Sequence, residues 1–232
     1  MKLPLSARLQ ACCSFVKPGD RVADVGCDHG YLGIYLLKNG IATSVIASDI
    51  NEGPLQSAVK NSEKFGVRDK MTFHLSDGVR NIPREFDTLV CAGMGGDTMV
   101  SILEAAPWLK DAKYHLILQC QSKTPMLRQY LYENGWGIEN EIVLRDGRFL
   151  YTVIAAVWQE DRPATSVGEF YYPAVLLSRK TPESIEYYHR VVKKLRISVA
   201  GHGAQADTIE VSALDQLEEL ANNYPFLKEE SL

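Results

Sequence analysis

The chain of 232 residues lacks any apolar run approaching the ~18 residues that cross a bilayer; its longest, residues 149–158, falls well short. No basic-then-apolar leader opens it, so the expected location is the cytoplasm, with no membrane partner. Cysteine is scarce: Cys12, Cys13, Cys27, Cys91 and Cys120 form no C-x-x-C pair and have no histidine at finger spacing. An odd count without such spacing argues against a disulfide framework and against a metal site, and leaves five small buried residues in a reducing compartment. A large excess of either charge is also missing, since 25 Lys+Arg stand against 29 Asp+Glu. With 46% hydrophobic and 23% charged residues, this is the composition of a globular chain, neither collagenous nor disordered.

The acidic balance of −4 argues at first against nucleic acid, but its distribution reverses that argument. Residues 1–161 carry 17 basic and 19 acidic groups, residues 162–203 carry 7 and 3, and residues 204–232 carry 1 and 7. A segment of net +4 is thus masked by a tail of net −6.

Short β-branched runs at residues 21–25, 44–48, 71–75, 88–92 and 114–119 alternate with helical stretches at 31–38, 54–65, 98–103 and 124–133. This alternation predicts βαβ units and a parallel sheet, preceded by a helix over residues 5–16. Residues 138–144 and 149–158 flank Asp146-Gly147, a hairpin signal, so the sheet is expected to end in an antiparallel pair. The resulting fold class is α/β, a Rossmann-like sheet of five parallel strands plus an antiparallel hairpin, the architecture of class I methyltransferases. Beyond Asp161 the pattern changes. Thr181-Pro182-Glu183 announces a helix with an apolar stripe at Ile185, Tyr188, Val192, Leu195 and Val199, and a second stripe runs through Ala213, Leu217, Leu220 and Tyr224. Two domains are therefore expected: a catalytic one at residues 1–161 and a helical, coiled-coil-like hairpin at 162–232. The same stripes also suit helices that simply dock on the first domain.

The chemistry is concentrated where strands end. Residues 22–31, Val-Ala-Asp-Val-Gly-Cys-Asp-His-Gly-Tyr, put Asp24, Gly26, Cys27, Asp28 and Gly30 around a strand-to-helix turn. The dinucleotide fingerprint is absent, because Asp28 takes the place of its second glycine; two acids beside the turn suit a ligand with a cationic amino-acid end. Asp49, followed by Ile50, ends the second strand about 20 residues downstream, where a ribose diol is held. Asp77, followed by Gly78, ends the third and can accept from an adenine amino group. Any one of these acids alone reads as a cap or turn residue. Together they outline a site for S-adenosylmethionine, completed by Ala92 and Gly93. The fourth strand runs into Gly93-Met94-Gly95-Gly96-Asp97, which clears side chains from the place where an acceptor meets the sulfonium; the bland alternative is a flexible turn followed by an Asp97 helix cap.

Residues 5–9 (Leu-Ser-Ala-Arg-Leu), the segment Asp24 to Leu32, residues 92–96, residues 116–119 and Arg145-Asp146-Gly147 resemble the bacterial TrmK family over residues 3–225. Gly33, and Cys120-Gln121 after Gln119, stand where that family commonly has proline. The resemblance implies a tRNA (adenine-N1)-methyltransferase acting at adenine 22, with a Rossmann-like domain and a C-terminal coiled coil. Adenine N1 already offers a lone pair, so catalysis is expected to be positioning of an extruded base. Asp28, His29 and Gln119 are candidates to stabilise charge or relay a proton, and Tyr31 is a candidate to stack on the base. Arg8, Met94 and Gly95 at the mouth, with Lys193, Lys194 and Arg196 on the basic helix, are the expected RNA contacts. A monomer or weak homodimer is expected.

Overall fold

A computed structural model describes residues 3–159 and 164–228. The expected domain seam at 161–165 lies partly outside the described residues. The strands are β1 (Arg21–Val25), β2 (Ser44–Asp49), β3 (Met71–Leu75), β4 (Thr88–Gly95), β5 (His115–Ser122), β6 (Trp136–Asp146) and β7 (Phe149–Trp158). They form one seven-stranded sheet in the order β3-β2-β1-β4-β5-β7-β6. β1 to β5 are parallel; β7 pairs antiparallel with both β5 and β6, as the Asp146-Gly147 turn requires, with Gly147 at φ 61. The order reverses between β1 and β4, and in open α/β sheets ligands bind at that reversal, outside the carboxyl ends of the strands.

Helices α1 (Ala7–Cys13), α2 (Tyr31–Lys38) and α3 (Glu52–Lys64) cover one face of the sheet, and α4 (Gly96–Glu104) and α5 (Thr124–Glu133) cover the other. Each face buries its own apolar cluster, one around Ile34, Val45 and Ile117, the other around Leu89, Met99 and Leu116. All five cysteines lie in these clusters, buried and unbridged. β4 runs past Ala92 to Gly95, with register shifts after Ala92 and after Met94. That extension carries the glycine segment along the edge of β5 and makes Gly95 the residue before α4. Asp97 consequently falls inside the first turn, where its carboxylate pairs with Lys123 at 2.8 Å, and Gly95 rather than Asp97 is the cap residue.

The chain then adds two short helices that the periodicity did not announce, α6 (Val167–Tyr171) and α7 (Ala174–Arg179), followed by α8 (Pro182–His202) and α9 (Thr208–Asn223). Thr181 caps α8 as expected, its Oγ1 accepting from the Ser184 N–H at 3.2 Å. Tyr188, Val192 and Leu195 of α8 bury against Ala213 and Leu217 of α9, together with Tyr172, Leu176 and Val143 of β6. The apolar stripes therefore serve both uses at once: the helices pair with each other and dock on the sheet.

One side chain fastens that dock. Arg128 of α5 has no solvent exposure, and all five of its N–H groups are used. Nε and Nη2 clasp Glu141 of β6 at 3.1 and 2.7 Å, Nη1 donates to the carbonyls of Phe170 and Tyr171 in α6 at 2.9 and 3.0 Å, and Nη2 also reaches the Tyr187 hydroxyl of α8 at 3.2 Å. Removing one member of a buried pair strands the other charge, which costs about 3–5 kcal/mol. Glu141→Leu is expected to lower unfolding free energy by that amount in urea denaturation. Adding Arg128→Met should restore only part of it, because the Phe170 and Tyr171 carbonyls then lack a donor; full recovery would contradict the fastening role.

Candidate active site

The β1–α2 turn is pinned from below. The N–H groups of Gly26 and Cys27 both donate to the Ser48 carbonyl, at 2.8 and 2.9 Å, and Gly26 takes φ 73. Asp28 follows at φ 50, a conformation that costs a non-glycine residue energy and that clusters at functional sites. Its N–H donates to Asp49 Oδ2 at 3.2 Å, while the Asn51 N–H reaches Oδ1 at 2.9 Å. Two backbone donors thus fix the Asp49 carboxylate at the end of β2, 8% exposed. A cavity of about 180 Å³ opens beside it, lined by Asp49, Ile50, Asp77, Gly78, Val79 and Ile102. Ile50 projects into solvent at its rim, and Asp77 is held 3.4 Å from Arg80.

A second cavity of about 70 Å³ shares Gly26 with the first and is lined by Arg8, Asp24, Cys27, Asp28, His29, Tyr31 and Ala92. Asp24 accepts the Gly33 N–H, a donor that a proline at this position could not supply, yet its Oδ2 is buried with no partner among the described residues. Burial pushes its carboxyl up to about 7 against the lowering effect of that N–H, with Asp49 and Asp28 adding to the rise. Burial likewise pushes the Cys27 thiol up, which makes it inert. His29 is half-exposed, its Nε2 3.6 Å from Asp28 and its ring tilted over Tyr31 at 5.8 Å between centroids. Met94 packs onto the open Cα of Gly26: a Cβ there would lie 2.3 Å from the Met94 methyl. Gly93, at φ 82, leaves similar room for Arg8, whose Nη1 lies 3.1 Å from where a Cβ would stand.

The structure brings Asp24, Gly26, Cys27, Asp28, His29, Tyr31, Asp49, Ile50, Asp77, Gly78, Ala92, Met94 and Arg8 to this edge of the sheet. It places others differently. Gly30 lines neither cavity; it caps α2 at φ 71 and faces α3, where a Cβ would come within 2.9 Å of the Ala58 side chain and 3.3 Å of its Cα. Gln119 is fully buried, with Oε1 accepting from both Arg8 Nη1 and the Gly93 N–H at 3.0 Å and Nε2 donating to the Cys120 carbonyl. It holds the glycine segment and Arg8 in place, and both acceptor positions of its Oε1 are taken within the protein. Gly95 is crowded by Asp97 and Ser122. Lys193 and Lys194, adjacent in sequence, face different grooves: Lys193 and Arg196 line one between α8 and α9, and Lys194 lines one facing the sheet. Sequence reasoning missed the α4 wall of the larger cavity, Thr98, Ser101 and Ile102. The i, i+3, i+4 spacing of these residues along α4 was the available signal.

Residues 5–154 match the family model described as a methyltransferase domain. The chain is 35% identical over 156 residues, 67% of its length, to the tRNA (adenine(22)-N(1))-methyltransferase of Bacillus subtilis (strain 168); the match spans 66% of that relative, just under two thirds. Among solved structures, the Bacillus subtilis m1A22 tRNA methyltransferase TrmK superposes with a TM-score of 0.79 at 28% identity, over 98% of this chain and 99% of that one. A Streptococcus pneumoniae protein solved in complex with S-adenosyl-L-methionine gives a TM-score of 0.80 at 28% identity, over 93% and 99%. The chain belongs to the methyltransferase-domain family, and almost its whole length superposes on the TrmK structures.

Proposed function

We propose that the protein transfers the methyl group of S-adenosylmethionine to N1 of adenine in tRNA, at position 22 by its likeness to the Bacillus enzyme. The observation that carries this reading is Asp24: a buried carboxylate oxygen with no partner among the described residues, at a small cavity beside the glycine turn, suits the ammonium of an amino-acid end. Asp49, aimed by two backbone N–H groups, is placed to accept from two vicinal hydroxyls. The apolar Val79 and Ile102 with Asp77 fit an adenine ring and its amino group.

When bound, S-adenosylmethionine supplies an electrophilic methyl group, and its positive charge passes to the adenine ring as the N1–methyl bond forms and the sulfur–methyl bond breaks. No base is consumed, so the chain's work is orientation and charge placement. Met94 lies over the Gly26 turn, Gln119 fixes Arg8 beside Gly93, and Asp28 with His29 presents polar groups to the ring that becomes cationic. Tyr31, tilted against His29, supplies an aromatic face. Among the described residues no helix is long and apolar enough to cross a membrane, and no group of three or more candidate metal ligands is found.

Incubation with radiolabelled S-adenosylmethionine and unmodified bacterial tRNA, followed by nucleoside mapping, is expected to show 1-methyladenosine at position 22. Transfer to another atom would overturn the assignment. In the same assay His29→Ala should reduce the single-turnover rate about tenfold or more while leaving cofactor affinity within twofold, the size expected for loss of one polar contact to developing charge. An unchanged rate removes His29 from the chemistry.

Asp24 makes a pH prediction. Its folded pKa, about 7, stands above the ordinary 3.8, so the folded state holds an extra proton between those values and loses stability as pH rises through that window. Asp24→Asn removes the penalty. The apo variant is expected to melt a few degrees above wild type at pH 8, with the difference vanishing near pH 4, and to bind cofactor more weakly. Wild-type cofactor affinity should fall as pH drops below about 7. A variant that melts like wild type at pH 8 contradicts a buried, unpartnered carboxylate.

A further inference from the structure

The Arg128 anchorage leaves a groove between α8 and the β5–α5 corner, about 260 Å³ in volume. One wall is Lys123, Thr124 and Pro125 with Leu150 of β7; the other is Tyr187, Arg190, Val191 and Lys194 of α8; Tyr171 lies between them. Its chemistry is that of an aromatic and aliphatic trough with cations on its rim. Lys194 has no ion pair among the described residues; Arg190 pairs with Glu186 and Lys123 with Asp97, both at the surface, where such pairs are weak and easily exchanged. Glu210 also lines the groove and is engaged by the Ser198 hydroxyl at 2.6 Å.

The groove adjoins the acceptor opening. Lys123 bonds Asp97 in the first turn of α4, and its carbonyl lies 2.6 Å from where a Cβ on Gly96 would stand, so the glycine segment packs directly against the Lys123 end of the trough. A base drawn out of a folded RNA leaves its neighbours unstacked, and unstacked nucleotides are held by aromatic faces with cations on their phosphates.

Resting on the tRNA reading above, we propose that this groove is a second RNA subsite, which stacks one unpaired nucleotide adjacent to the target adenine against Tyr171 and holds its flanking phosphates with Lys123, Arg190 and Lys194. The helical phase explains the choice: residues 187, 190, 191, 194 and 195 share the face toward the sheet, whereas Lys193 and Arg196 point into the α8–α9 groove.

The test uses the full-length protein and unmodified bacterial tRNA. Arg190→Met with Lys194→Met is expected to raise KM for tRNA about tenfold and to make the salt dependence of binding shallower by about one unit per cation removed. Tyr171→Leu should raise KM about fivefold or more, and Tyr171→Phe should restore it, since stacking needs only the ring. Cofactor affinity should stay within twofold in all variants. Lys110→Met with Lys113→Met, in the segment that leads into the amino end of β5, removes the same charge as a control. KM and salt slope equal to the control in the groove variants overturn the subsite while leaving the methyltransferase reading intact; no methylation by the wild type overturns that reading itself. Should Tyr171→Leu melt early, the Arg190/Lys194 pair decides alone.

Discussion

A single guanidinium sets the geometry on which the rest depends. Arg128 starts on α5, beneath the sheet, and its five donors end on β6, α6 and α8. Burial works against that charge, and the Glu141 carboxylate with the Tyr187 hydroxyl more than restores it, while burial raises the Glu141 carboxyl against the lowering effect of Arg128. Apolar stripes alone tolerate sliding; a fork that satisfies carbonyls of α6 and a hydroxyl of α8 does not. Because Lys123, the residue before α5, lies next to the glycine segment at the end of β4, fixing α8 to α5 also fixes the basic face of α8 relative to the acceptor opening.

The second constraint is topological. Strand order reverses between β1 and β4, so the carboxyl ends of β1, β2 and β4 open onto one crevice. Within it the backbone does most of the orienting: Ser48 anchors the β1–α2 turn, the Asp28 and Asn51 N–H groups aim Asp49, and Gln119 ties Gly93 to Arg8. The left-handed Asp28 and the solvent-excluded Asp24 carboxylate are locally unfavourable, which is how a fold stores a preformed ligand site.

Much of this was legible in the sequence because it is written in local signals. Strand-ending acids at 24, 49 and 77, the Asp146-Gly147 turn and the Thr181-Pro182-Glu183 helix start each depend on a few adjacent residues. What escaped depends on distance. Gly30 looks like a ligand glycine until Ala58 of α3 is seen against it. Gln119 looks like a polar group for the base until its oxygen is found between Arg8 and Gly93, and Arg128 with Glu141 reads as two ordinary surface charges. The division between Lys193 and Lys194 was readable in principle, since neighbours on a helix lie 100° apart, but nothing in the sequence says which face meets the sheet. α6 and α7 are too short for periodicity to register.

The central claim is that one edge of the sheet holds the methyl donor and that the α8 face beside it holds RNA. Hydrogen exchange of the full-length protein, alone, with S-adenosylhomocysteine, and with S-adenosylhomocysteine plus unmodified tRNA, tests this directly. S-adenosylhomocysteine is expected to protect residues 24–31, 47–51 and 76–80, and tRNA to add protection at 92–97, 121–125 and 187–195. Protection by the nucleoside at the amino ends of the strands, or by tRNA only on the outer face of α9, would contradict it.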